Sequence, residues 1–148
     1  MEISGERRLD APRSRVWTAL LDPEMLRAAI PGCEEFVQTG PDEYDLRVKV
    51  GISAIRGTYA GHVRMSEAQP ESSYRLVAGG SGMGGGAEGD ATITLEDDGD
   101  GTRLRYVADV KARGVISRLG SRLIGNAARM MADRFFEGFE AQLVQRPG

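Results

Sequence analysis

The side chains able to do chemistry are few. The 148 residues include one histidine, His62, and one cysteine, Cys33. Tyr59, Gly61, Val63 and Met65 alternate with Ala60, His62 and Arg64. A period of two sends successive side chains to opposite faces of a strand, so His62 shares the wet face with Arg64. A triad with His62 as its base would point away from the apolar face. A zinc site fails too, because one His and one Cys 29 positions apart match no ligand spacing. Cys33 follows Pro31-Gly32 and reads as a small buried hydrophobe rather than a nucleophile. Asp45, Glu88, Asp90 and Asp109 fall on wet faces or in a glycine-rich stretch. A general acid–base pair needs a sequestered setting, and no inward polar constellation is expected. The leading reading is therefore not an enzyme.

Gly79 to Gly89 reads GGSGMGGGAEG, in which Gly80, Gly82 and Gly85 formally satisfy GxGxxG. That motif binds phosphate only where a helix N-terminus follows it. Here Ala91-Thr92-Ile93-Thr94-Leu95 follows, which reads as a strand, and no Gly-Lys-Ser/Thr follows to make a P-loop. The expectation is a mobile loop between two strands that acts as a lid, with Met83 as its one apolar contact.

Residues 2–9 read as a first strand. Asp10-Ala11-Pro12 and Asp22-Pro23 each set an N-cap acceptor before an early proline. They open helices over about 11–21, with Val16, Trp17, Leu20 and Leu21 at helical spacing, and about 23–30, stopped by Pro31-Gly32. From Glu34 to about Ala112 the period is two. Tyr44, Leu46, Val48 and Val50 alternate with Asp45, Arg47 and Lys49. Ala91, Ile93 and Leu95 alternate with Thr92 and Thr94. Leu104, Tyr106, Ala108 and Val110 alternate with Arg103, Arg105 and Asp109, with Val107 the one exception. One buried and one wet face argue an antiparallel sheet. Gly40-Pro41-Asp42 and Asp97-Asp98-Gly99-Asp100-Gly101 read as turns. A long helix over about 115–143 carries Ile116, Leu119, Leu123, Ala127, Met131, Phe135, Phe139 and Leu143, widened by Ile124, Ala128 and Phe136. The Met130, Met131, Phe135, Phe136, Phe139 stripe reads mostly as core.

The order is strand, two short helices, about six strands, long helix. A seven-stranded sheet must curl to bury one face, and only the long helix is able to fill the concavity. Gly51, Ala54, Gly57, Gly61, Ala78, Ala108 and Ala127 lighten the apolar face. They either leave room for a cavity or let backbones approach closely.

The length fits one domain, and the 41% hydrophobic and 28% charged fractions are those of a folded chain. A net charge of −3 does not favour nucleic acid. The wet-face cations Arg47, Lys49, Arg64, Arg103 and Arg105 read as solvated and balanced by nearby acids. No signal-type run and no stretch of about 20 apolar residues is present. A lone cysteine suits a reducing compartment. A cytoplasmic location with at most peripheral contact at the inner membrane face is expected.

Val16-Trp17-Thr18-Ala19-Leu20, Asp22-Pro23-Glu24, Ile30-Pro31-Gly32-Cys33, Gly57-Thr58-Tyr59-Ala60-Gly61, Leu119-Gly120-Ser121-Arg122-Leu123-Ile124 and Phe135-Phe136 lie in order across nearly the whole chain. Together they resemble the carbon monoxide dehydrogenase CoxG family. The resemblance implies an α+β helix-grip fold of the START-like (SRPBCC) superfamily over residues 1–148. In that fold a curved seven-stranded antiparallel sheet, two short helices and a long C-terminal helix enclose apolar ligands. The resemblance also implies work beside an aerobic, molybdenum-containing carbon monoxide dehydrogenase, either in recruiting it to the membrane or in passing electrons to quinone. An isoprenoid quinone is then the leading ligand, with no covalent cofactor and no metal. Members known for membrane recruitment carry an apolar C-terminal extension, whereas this sequence stops at Gln145-Arg146-Pro147-Gly148.

The expected cavity wall is Tyr59, Val63, Leu76, Met83, Leu119, Leu123, Ile124, Ala127 and Met131, holding its ligand chiefly by burial. Two other readings stand beside the carrier. One is a ligand-free interaction protein docking on an oxidoreductase. The other is an enzyme of the cyclase or hydratase kind, which a one-residue register shift bringing His62 and Arg64 inside would favour.

Overall fold

A computed structural model describes residues 1–52 and 55–146. Ala54, one of the small residues assigned above to the apolar face, lies outside the described residues, as do Pro147 and Gly148. The elements run β1 (Glu2–Leu9), α1 (Arg13–Leu20), α2 (Pro23–Ala29), β2 (Cys33–Gly40), β3 (Glu43–Val50), β4 (Gly57–Gln69), β5 (Ser73–Gly82), β6 (Gly85–Asp98), β7 (Gly101–Arg113), a 3-10 helix (Gly114–Leu119) and α3 (Ser121–Gln145).

All seven strands form one antiparallel sheet in the order β1-β7-β6-β5-β4-β3-β2. The two short helices carry the chain from one sheet edge to the other. The sheet curls round α3, and the core lies between them, with Leu9, Val16, Leu104 and Phe139 fully buried. The alternation fixed the faces as expected. Tyr44, Met65, Ile93, Leu95, Leu104 and Ala108 are buried, while Arg47, Arg64, Arg105 and Asp109 are exposed. Val107, the apolar exception, is 50% exposed on the wet side.

Three local expectations are corrected. Gly79–Gly89 is no mobile loop: β5 and β6 pair through it as far as Gly82 opposite Gly85, leaving Met83-Gly84 as a two-residue turn. Glycine's low strand propensity misled the sequence reading. Here the lack of side chains lets the tip of the hairpin pack backbone to backbone, with the Gly84 carbonyl accepting from Ile116 N–H at 3.1 Å. Asp10 does not cap α1, because Pro12 takes the N-cap position and the Asp10 carboxylate is held by Arg8. Asp22 does cap α2, accepting from Glu24 N–H at 3.0 Å. The long helix starts only at Ser121, so Ile116 and Leu119 belong to the preceding 3-10 helix. Gly120, at φ 84°, breaks the two apart.

The 25 residues of α3 span about 37 Å. Gly138 lets α3 approach α2 closely, since a Cβ there would stand 3.0 Å from the Ala29 carbonyl oxygen. Phe135, Phe136 and Phe139 form an aromatic cluster on its inner face, continued onto β7 by Tyr106, whose ring stacks on Phe136 at 5.9 Å.

Candidate functional site

Between α3 and the sheet lie three apolar chambers. The innermost, about 290 Å³, is walled by Ile3, Leu20, Leu26, Ile30, Phe36, Val63, Met65, Tyr74, Leu76, Ala91, Ile93, Leu104, Tyr106, Ala132, Phe135 and Phe136. A middle one of about 260 Å³ is bounded by Leu46, Val48, Tyr59, Gly61, Val63, Ala78, Gly79, Gly80 and Met131. An outer one of about 220 Å³ is lined by Val48, Val50, Ile55, Tyr59, Gly80, Ala87, Val110, Ile116, Ile124, Ala127, Ala128 and Met131. Val63 is common to the first two, while Val48, Tyr59, Gly80 and Met131 are common to the second and third. The chambers therefore follow one another along the underside of α3. Among the described residues no charged side chain lines any of them, and their polar groups are tyrosine hydroxyls and backbone. Such a space binds by removing apolar surface from water, at roughly 25 cal/mol per Å² before the cost of association.

Each position follows from local sequence. Tyr59, Gly61 and Val63 face inward because β4 alternates. Gly61 and Gly80 stand opposite one another in the β4–β5 register, so the middle chamber's floor carries no side chain there. Ile124, Ala127, Ala128, Met131 and Phe135 recur at three and four along α3, with two alanines leaving depth under the helix.

Of the nine expected wall residues, the structure brings Tyr59, Val63, Leu76, Ile124, Ala127 and Met131 to the chambers. Met83, Leu119 and Leu123 do not line them. Met83 is fully exposed at the tip of the β5–β6 turn. Leu119 sits in the 3-10 helix, outside the phase of α3. Leu123 is 55% exposed, because one residue is about 100° of helix and Ile124 takes the inward position. Phe36, Tyr74, Ile93, Tyr106 and Phe135 are walls that the sequence reading did not assign. Alternation or helical spacing marked Ile93, Tyr106 and Phe135 as inward, whereas Phe36 and Tyr74 were given no face, and nothing in the sequence distinguishes a cavity wall from core.

The candidate catalytic groups lie elsewhere. His62 is on the outer face, its Nδ1 2.7 Å from Asp45 Oδ1 and its Nε2 3.7 Å from Glu43. The hydrogen bond to Asp45, followed by the charges of Asp45 and Glu43, raises its pKa. The register that would bring His62 and Arg64 inside is not adopted. A trough of about 440 Å³ runs past His62, with Arg47 and Arg113 on its rim. It is open to solvent and its cations are paired, Arg47 with Glu34 at 3.2 Å and Arg113 with Glu88 at 2.9 Å. Cys33 is half-buried rather than buried, and burial pushes its thiol pKa up, away from nucleophilic character. Among the described residues no cluster of three or more His, Cys, Asp or Glu is placed to hold a metal ion.

The fold has solved counterparts. A conserved protein from Geobacillus kaustophilus superposes with a TM-score of 0.94 at 25% identity, over 98% of this chain and 96% of that one. A START superfamily protein from Mycobacterium smegmatis gives 0.78 at 11% identity, over 97% of each chain. Ara h 8.0201 gives 0.72 at 11%, over 99% of each. The architecture is therefore the START-like helix grip. No curated protein sequence matches the chain. The model of one sequence family does match it, over residues 5–144, and the chain belongs to that family, the carbon monoxide dehydrogenase CoxG family.

Proposed function

We propose that the protein carries an apolar small molecule in the chambers beneath α3, with an isoprenoid quinone as the favoured cargo. In this reading it serves as an accessory factor to a molybdenum-containing, carbon monoxide dehydrogenase-type oxidoreductase. The observation that carries the proposal is the succession of three charge-free chambers along one helix, which suits an elongated apolar molecule. Membership of the CoxG family supports the oxidoreductase as partner. The reading makes the protein a binding factor with no covalent cofactor, and the position of His62 outside the cavity agrees with it.

The outer end of the cavity supports exchange at a peripheral membrane surface. Ile55, Ile116 and Ile124 meet there, beside exposed Met83, Val115 and Leu123. No described helix is long and apolar enough to cross a membrane.

The test is organic-solvent extraction of the purified protein, with quinone sought by absorbance and mass spectrometry beside a mock purification. A stoichiometric quinone is expected. A clean blank would move the weight to the ligand-free interaction protein, and capture of an oxidoreductase partner becomes the deciding experiment.

A further inference from the structure

Four tyrosines face the interior, and the hydroxyls of three meet either a hydrogen bond or the field of a charged side chain. Tyr59 Oη donates to the Ile55 carbonyl at 2.8 Å. The Tyr106 ring lies across β1, where a Cβ on Gly5 would stand 2.7 Å from its hydroxyl, and its pKa is raised by burial and then by the charge of Asp133, with Arg129 opposing. Tyr44 stacks on Phe36, and burial, followed by the charge of Asp42, raises its pKa; it lines none of the three chambers. Tyr74 differs. It is 5% exposed and lines the innermost chamber among aliphatic and aromatic side chains. Burial alone raises its pKa, with no hydrogen bond and no charge acting on the hydroxyl. Among the described residues no side-chain oxygen is both sealed off and unpaired, so the Tyr74 hydroxyl keeps access to open space, and the chamber that Tyr74 lines is the apolar space beside it. An unpaired phenol O–H in an apolar space is costly and is relieved by any acceptor that arrives there.

We infer that Tyr74 donates a hydrogen bond to a carbonyl oxygen of the cargo, so that the inner chamber selects apolar ring molecules bearing a carbonyl over hydrocarbons of the same outline. The inference rests on the carrier reading and deepens it. A site that hydrogen-bonds its ligand discriminates by leaving its own polar group unpaired when the wrong ligand enters. The phenol stays protonated, and so remains a donor, across the physiological range. Trp17 reports on the same place: it is the chain's one tryptophan, and its ring lies 5.7 Å from that of Tyr74, edge to face.

The experiment compares two probes on wild type and on Tyr74→Phe by calorimetry and by quenching of Trp17. One is a naphthoquinone methylated at both free quinone carbons, so that Cys33 cannot add to it. The other is the dimethylnaphthalene of the same outline. The variant is expected to bind the quinone about five- to tenfold more weakly and the hydrocarbon unchanged. The quinone carbonyl stretch is expected to be lowered in the wild-type complex and to return toward its value in apolar solvent in the variant. Equal changes for both probes, or the same carbonyl stretch in both proteins, would overturn the inference and leave the carrier standing. If neither probe binds wild type, the carrier reading itself falls, and this inference with it. Ligand-free Tyr74→Phe should melt a few degrees higher, because it loses an unpaired polar group. A lower melting temperature would mean that the hydroxyl is bonded within the protein, which also overturns the proposal.

Discussion

The one histidine spends its hydrogen bond on the outer face. Asp45 and His62 are register partners on β3 and β4, so their side chains stand side by side above the sheet. The raised pKa of His62 fixes the sign of its pH dependence. Its contribution to stability is fully present below the ordinary histidine value of 6.5 and fades as pH rises through the higher folded value. The side chain is 50% exposed, so solvent screening keeps that contribution small. Asp45→Asn is expected to move the His62 midpoint downward in an NMR titration while leaving the content of extractable ligand unchanged. An unmoved midpoint would show that the pair does not form in solution. A fall in bound ligand would implicate the outer face in binding.

At the scale of elements, α3 sets what enters. Its inward stripe was legible in the sequence because apolar residues recur at three and four, and the sheet faces were legible because they alternate. Ends and phases were not. Gly120 severs the apolar periodicity into a 3-10 helix and α3, and the repeat that linked Leu119 to Leu123 and Ala127 ran straight across that break. Gly79–Gly89 read as a loop because propensity disfavours glycine in strands, whereas ladder pairing to β4 and β7 holds it in the sheet. Whether an inward side chain borders space or other side chains depends on the curvature of the whole sheet, which no local pattern encodes. These phases separate two substitutions that sequence alone treats alike. Ala127→Trp places an indole in the outer chamber and is expected to lower affinity for an apolar ligand at least tenfold, about 1.4 kcal/mol. Leu123→Trp leaves the chambers open and is expected to bind as wild type does. Fluorescence titration with a naphthoquinone bearing an isoprenoid tail, long enough to reach from the inner chamber into the outer one, decides the matter on both folded variants. Equal losses would place the wall where the unbroken periodicity put it, and equal retention would move the ligand away from the outer chamber.

Across the whole molecule the charge is polarised along α3. An antiparallel sheet sends alternate turns to opposite ends. The turns after β2, β4 and β6 carry Asp42, Glu71 and Asp100, with Asp97 and Asp98 beside the last. The connections at the other end lie within segments 46–66, 72–87 and 110–132, which contain no acidic residue. They place exposed Arg56, Arg118 and Arg122 at the same end of the sheet as the exposed Met83, Val115 and Leu123. The Ile116–Gly84 hydrogen bond ties two of these connections together at the mouth of the outer chamber. A net negative protein is thus given one end that an anionic bilayer attracts and one that it repels, so attraction and orientation come together. The protein is expected to co-sediment with phosphatidylglycerol vesicles at low salt and to be released as the Debye length falls below about 8 Å above physiological ionic strength. At about 1 kcal/mol per basic residue near the surface, Arg118→Gln with Arg122→Gln should weaken that partition roughly thirtyfold. Binding that is equal on phosphatidylcholine vesicles, or indifferent to the double substitution, would refute the electrostatic orientation and leave cargo exchange to a protein partner at the same mouth.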